Sequence, residues 1–387
     1  MTAVHGDKIG QAATGDLKLF LAGDVMTGRG IDQILPHPAS PELYEPYVKD
    51  ARDYVRLAER KNGTLDKPVA FDYPWGDALP VLRKVGVHAR IVNLETAVTG
   101  HDAPWPGKGI HYRMDPAHVP LLTALGVDVC VLANNHVLDW QPAGLQETLA
   151  TLHAAGVQTA GAGGARRAAE RPAIIESAGC RLLVFAFGIA TSGISPAWAA
   201  GENSPGVNFL PDLTAKSLKK TIRIIGEHAL PDDRVIVSIH WGGNWGYEVS
   251  AERQAFARAL IEETGVDLVH GHSSHHPQGI EVFRERLILY GCGDFLNDYE
   301  GITGRESYRP DLTLMYLADL DTASGALRRL TLIPLQIHQM RLRQAGEKDI
   351  RWLAATLTRY SKPLGGGTTL ALQPADDSRP MTLALRW

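Results

Sequence analysis

Five apolar runs in this sequence each stop on a side chain of metal-binding type. Phe20-Leu21-Ala22 runs into Gly23-Asp24, Ile91-Val92 into Asn93-Leu94-Glu95, and Val131-Leu132-Ala133 into Asn134-Asn135-His136. Ile236-Val237-Ser238-Ile239 runs into His240-Trp241-Gly242, and Leu268-Val269 into the His-rich stretch from His270 to His276. Asp24, Glu95, Asn135, His136, His240, His272 and His275 are therefore the candidate donors. Carboxylate, amide and imidazole donors suit Mn, Fe, Zn or Co; a Ca site would not gather histidines and a structural Zn site would draw on Cys. One or two divalent ions are expected. A pair would clamp a phosphoryl oxygen and activate a bridging water, with Glu95, which has two oxygens, as the natural bridge. His136 is the candidate acid–base group, and Asp139, three residues on, is placed to orient its imidazole or to cap the helix that follows.

Taken singly, each residue has a plainer reading. An Asp after a strand is usually a turn or cap residue, a lone strand-end His is usually a hydrogen-bonded, half-buried one, and Asn134 and Asn135 alone read as turn residues. The coincidence of five such strand ends carries the metal-site expectation. Trp241, Asn244, Trp245 and Tyr247 lie in a Gly-rich loop that is either a packed cover or a substrate wall. Asp294, in GCGDFLND, reads as closing a loop. GAGG at 161–164 lacks the spacing of a phosphate loop and reads as a turn.

These groups need a scaffold that brings strand ends together. Strands are expected at Leu17–Ala22, Ala89–Asn93, Val127–Ala133, Arg181–Ala186, Arg234–His240, Val266–Gly271 and Arg286–Gly291, alternating with helices at Trp75–Val85, Pro116–Leu125, Gln141–Ala155, Thr214–Gly226 and Ala251–Thr264. That alternation predicts an α/β protein, whose site lies outside the carboxyl ends of the strands. After Gly301 the pattern predicts a hairpin, Leu312–Leu320 with Leu327–Leu335, then a helix at Asp349–Tyr360 and two strand-like pieces. Residues 1–15 read as a flexible N-terminus, 16–340 as the main domain and 341–387 as a C-terminal extension. The interval 32–75, with a helix expected near Leu43–Lys61, is a candidate lid or else a surface excursion.

Composition narrows the class. The chain has 387 residues, 39 Lys+Arg against 43 Asp+Glu, for a net charge of −4, so no global basic field exists to hold nucleic acid. Its 44% hydrophobic and 21% charged residues are ordinary for a globular protein. Cys130, Cys180 and Cys292 are too few and scattered for a disulfide framework. No apolar run approaches the roughly 20 residues of a membrane span, and no signal core is visible, so the cytoplasm is the expected compartment. The expected partner is a small or polymeric anionic substrate; oligomerisation is left open.

The ordered set Gly23-Asp24-Val25-Met26, Asn93-Leu94-Glu95, Asn134-Asn135-His136, His240-Trp241-Gly242, GHSSHHPQGIE at 271–281 and Gly293-Asp294-Phe295 resembles the CapA family of bacterial capsule (poly-γ-glutamate) synthesis proteins over about residues 16–300. That family is similar in turn to calcineurin-like metallophosphoesterases. The resemblance implies a sandwich of two packed mixed β-sheets flanked by helices, with a dinuclear metal centre. It carries metal-binding roles onto Asp24, Glu95, Asn135, His240, His272 and His275, and a catalytic or substrate-clamping role onto His136. Met26 stands where the superfamily's DxH motif has His, so one metal loses a ligand; His276 is a candidate replacement. Arg29, Asn134, Trp241, Asn244 and His276 make up the candidate substrate side. The implied activity is metal-dependent hydrolysis of a phosphoester or amide, the alternatives being a non-hydrolytic polymer-synthesis accessory or a γ-glutamyl amide hydrolase or transferase.

Overall fold

The computed structural model describes residues 15–365, 367–374 and 380–387; of the N-terminal stretch 1–15, only Gly15 lies within the described residues. Two mixed sheets, one of ten strands and one of seven, pack face to face with helices outside. The first sheet runs in the order Thr369–Gln373, Thr382–Arg386, Leu327–Ile337, Leu312–Asp321, Asp16–Val25, Ala89–Leu94, Val129–Val131, Gln158–Ala160. The second runs Phe209–Leu210, Cys180–Ile189, Arg234–His240, Leu268–His272, Arg286–Leu289, Ile280–Phe283.

Period-two alternation decides what each strand face meets. Leu17, Leu19 and Leu21 fill the space between the sheets with Leu182, Val184, Ile236 and Leu268 of the second sheet, whereas Phe20 and Ala22 face helices. On the far side of the second sheet Leu183, Phe185 and Phe187 pack against Ile224, Ile225, Phe256 and Leu260 of the helices Ala215–Gly226 and Ala251–Thr264. Each such fully buried side chain contributes about 1.5–3 kcal/mol by leaving water.

The central strands are parallel: Asp16–Val25 with Ala89–Leu94 and Val129–Val131 in one sheet, Cys180–Ile189 with Arg234–His240 and Leu268–His272 in the other. Their carboxyl ends carry the candidate ligands. The two sheets meet there directly, for the His270 Nε2–H donates to the Ala22 carbonyl at 2.9 Å.

Two segments differ from the sequence reading, and the tail takes a place that reading left open. The helix expected near Leu43–Lys61 begins only at Arg52, because Leu43 and Lys49 close a loop by a 3.0 Å backbone bond around Pro46. The tail is part of the main sheet, Thr382–Arg386 pairing with Leu327–Ile337 and the helix Glu347–Ser361 burying Ile350, Leu353 and Leu357 in the inter-sheet core. Finally, Asp294 opens a short strand, Asp294–Leu296, lying parallel to the first strand with Asp294 opposite Asp24. Gly23 permits that approach: a Cβ there would stand 1.8 Å from the Gly293 carbonyl oxygen.

Candidate metal centre

Asp24 sits at the centre of the strand-end cluster and is completely buried. Asn93, its register partner on the neighbouring strand, donates from Nδ2 to Asp24 Oδ1 at 2.7 Å and to Glu95 Oε2 at 2.5 Å, holding both carboxylates side by side. Asp24 Oδ2 has no hydrogen-bond partner. Burial, then the charge of Asp294, push the Asp24 carboxyl up to about 7; burial and then Asp24 push Glu95 well above the carboxylate range. Buried acids that resist ionising call for a cation.

The histidines answer that need by a chain of tautomers. His240 lies opposite His272, and Ser238 opposite His270, on adjacent parallel strands. His270 Nε2 donates to a carbonyl, so its Nδ1 is a lone pair and accepts from Ser238 Oγ at 3.1 Å. The Ser238 hydroxyl has spent its only proton, and so accepts from His272 Nε2 at 2.8 Å. His240 Nε2 donates to Asn135 Oδ1 at 2.9 Å, with Glu95 Oε1 at 3.4 Å. Burial pushes the pKa of both His240 and His272 well below its ordinary value, so both rings are neutral. Their two Nδ1 lone pairs then face each other at 2.7 Å, with Asp24 Oδ1 4.0 Å from His272 Nδ1. Two lone pairs and the buried Asp24 carboxylate, with donor atoms within 4.8 Å of one another, fit a divalent metal ion.

A second group forms on the other side of Asp24. His275 Nδ1 donates to Asp294 Oδ1 at 2.9 Å, and donor atoms of Asp24, His275 and Asp294 all lie within 4.8 Å of one another, as do those of Asp24, His240 and His272. Desolvation opposes protonation of His275, but Asp294, its hydrogen bond and Asp24 outweigh it and raise the pKa. Asp24, rather than Glu95, is thus the carboxylate common to both groups, and Asp294 stands in the cluster instead of closing a loop.

His136 is fixed from behind. Its Nδ1–H donates to Asp139 Oδ2 at 2.7 Å, while Asp139 also accepts from the Tyr112 backbone N–H and from Lys108. Lys108 Nζ further donates to the Asn135 carbonyl at 2.5 Å. Burial and then the Lys108 charge hold His136 down at about 4, so it is neutral at pH 7 with its Nε2 lone pair free. Tyr112 packs on the His136 ring at 4.1 Å between centroids.

The remaining candidates are spent on internal contacts. Arg29 is buried and ion-paired with Glu45 at 2.8 Å and Asp298 at 2.5 Å, so its charge is neutralised and unavailable to a substrate. Trp241 is buried and donates from its indole to the Tyr290 carbonyl, making it a cover and not a wall. His276 accepts the Gly246 N–H and stacks on Tyr308; it does not join the ligand cluster. Asn134 caps the His136 and Val137 amides and donates to Asn93 and the Leu94 carbonyl. Asn244 is exposed, and its carbonyl holds the His275 N–H at 2.9 Å.

Residues 18–299 match the family model described as bacterial capsule synthesis protein PGA_cap. The chain belongs to this family. It is 46% identical over 350 residues, 90% of this chain and 92% of the relative, to a protein of Mycobacterium tuberculosis named "Probable polyglutamine synthesis accessory protein". Against the "Capsule biosynthesis protein CapA" of Bacillus anthracis identity is 25%, covering 84% of this chain and 68% of the relative. A solved Mycoplasma pneumoniae chain titled as a novel phosphatase aligns over 84% of this chain and 94% of its own at 13% identity and TM-score 0.44, a likeness too distant to bear on chemistry. Among the described residues of this family member, no helix is long and apolar enough to cross a membrane. Its three cysteines are unpaired.

Proposed function

We propose that this capsule-synthesis family member is a cytoplasmic metal-dependent hydrolase acting on a small or polymeric anionic substrate, at a phosphoester or a γ-glutamyl-type amide. The observation that carries this reading is the pair of Nδ1 lone pairs of His240 and His272 held 2.7 Å apart, with the buried Asp24 Oδ1 4.0 Å from His272 Nδ1. One or two divalent ions (Mn, Fe or Zn) would be held by Asp24 with His240 and His272, and by Asp24 with His275 and Asp294, Glu95 and Asn135 standing at the edge. Such an ion, when bound, polarises a phosphoryl or carbonyl oxygen and makes water a nucleophile at neutral pH. The chain's own residues do the rest. Asn93 keeps Asp24 and Glu95 in place, Asp139 and Lys108 hold the His136 ring, and His136 Nε2 takes a proton and returns it to the leaving group.

A second reading, a non-hydrolytic accessory of polymer synthesis using the same pocket, draws on the name of the 46% identical relative and on the depth of the cluster, where Asp24, His240 and His272 are at most 1% exposed. The first measurement is metal content by elemental mass spectrometry on protein purified without chelators. One or two equivalents of Mn, Fe or Zn, followed by Mn-dependent turnover on an aryl phosphate or γ-glutamyl anilide panel, supports the hydrolase. Metal content of zero after reconstitution removes it in favour of the accessory role.

A further inference from the structure

Two phenols bridge the gap between His136 and His275. Tyr112 packs its ring on His136 at 4.1 Å, and Tyr299 sets its ring edge-on to His275 at 5.3 Å. Their hydroxyls meet at 3.3 Å, so the pair spans from the acid–base imidazole to the candidate ligand imidazole. Both rings are backed by the Arg29 guanidinium, whose Cζ lies 4.7 Å from the Tyr112 centroid and 5.8 Å from that of Tyr299. The backing is rigid, because Arg29 is itself held by Glu45 and Asp298.

The hydrogen-bond inventory of this pair is incomplete. Two hydroxyls carry two protons, and their mutual bond uses one. The other goes from Tyr299 Oη to the Met26 thioether, with the oxygen 3.8 Å from Sδ. A thioether is a weak acceptor, and a buried O–H without a good acceptor costs on the order of 1–3 kcal/mol. A strong, rigid, neutral donor therefore ends on a poor partner two residues past Asp24. Polar groups preorganised for an oxygen that arrives only during reaction have this character.

We infer that Tyr299, relayed by Tyr112, donates its hydroxyl proton in a hydrogen bond to a non-bridging oxygen of the substrate's phosphoryl or tetrahedral acyl centre. The inference rests on the hydrolase reading above. No bond is made or broken by the phenol; it exchanges a sulfur acceptor for an anionic oxygen.

The test compares wild type, Tyr299→Phe, Tyr112→Phe and Met26→Leu, all Mn-reconstituted. Metal content and Tm are measured on each, tungstate affinity by calorimetry, and kcat and KM on the best substrate of the panel. Tyr299→Phe keeps the ring on His275 and should keep its metal, while losing about tenfold in tungstate affinity and about 10- to 100-fold in kcat with little change in KM. Tyr112→Phe should lose less, and the double variant should lose no more than the product of the two. Met26→Leu, which removes only the weak acceptor, should keep wild-type kcat and affinity. Wild-type tungstate binding and kcat in Tyr299→Phe overturn the inference alone. So does a Met26→Leu loss equal to that of Tyr299→Phe, since the hydroxyl would then serve only to hold the thioether. A wild type that neither binds tungstate nor turns over any substrate overturns the hydrolase reading and this inference with it.

Discussion

Replacing Asp24 by asparagine in metal-free protein should remove the pH dependence of stability that this one carboxyl imposes. In the folded chain Asp24 is buried against Asp294 and titrates near 7 instead of 3.8. The unfolded chain releases that proton near pH 4, whereas the folded chain keeps it to about pH 7. Between those values the folded state binds more protons, so stability falls as pH rises and then levels off above 7. At 1.36 kcal/mol per pH decade the gap corresponds to at most about 4 kcal/mol. The Asp24→Asn substitution would abolish it, though the new amide would stand unpartnered where Oδ2 now is, at a cost of about 1–3 kcal/mol. In EDTA the variant should thus be less stable than wild type at pH 4, by about 1–2 kcal/mol, and more stable at pH 8, by about 1–3 kcal/mol. Thermal unfolding followed by circular dichroism would show a crossing of the two Tm curves, a shift of a few degrees either way. Mn²⁺ at about a hundred times its Kd should add about 2.7 kcal/mol to wild type at pH 8 and little to the variant. A difference independent of pH, or equal stabilisation of both proteins by Mn²⁺, would refute the electrostatic argument.

Three further outcomes are expected. His136→Ala should lower turnover about 100-fold or more while metal content stays near wild type, since His136 belongs to neither donor group; undiminished turnover would remove it from the chemistry. Glu95→Ala should lower metal content measured by elemental mass spectrometry, and unchanged stoichiometry would make Glu95 only an anchor for Asn93. Arg29→Met should destabilise the fold by about 3–5 kcal/mol in urea unfolding, because it leaves Glu45 and Asp298 buried and unpaired; a loss below about 1 kcal/mol would contradict the ion-pair account.

The strands were legible because runs such as Arg234–His240 are continuous and β-branched, with ends that coincide with polar residues, whereas their division into two packed sheets came only from the family resemblance. The strand-end rule also brought out Asp24, Glu95, Asn135, His240 and His272, which the fold draws together from both sheets. A further signal lay unused: Ser238 and His270 each precede a candidate histidine by two residues, hence share its strand face, and they turn out to set the His272 tautomer, while Asn135 sets that of His240. Asp294 was hidden because its strand has three residues and gives no period. Lys108, Tyr112 and Tyr299 come from loops or a strand end with no pattern, and only tertiary packing gives them meaning. Arg29 misled for a related reason: proximity in sequence to Asp24 says nothing about Glu45 and Asp298, which take its charge.

That same ion pair bears on how a substrate reaches the cluster. A lid made of residues 32–75 would have to carry Glu45 and Tyr54 away from Arg29, where Nη1 is bonded to both at 2.8 and 3.1 Å. Separating a buried pair of this kind costs about 3–5 kcal/mol, so such an open state would hold between about one molecule in a hundred and about one in a few thousand, at tenfold per 1.4 kcal/mol. Entry is easier where the cluster already meets solvent. Asn135 and His275 are partly exposed, Lys108 retains 18% side-chain exposure, and Asn244 and Trp245 lie on the rim beside them. Glu45 and Tyr54 of the insertion hold Arg29, which in turn backs the Tyr112 and Tyr299 rings. Access belongs to the loop that carries Lys108 and to those that follow His240 and His272.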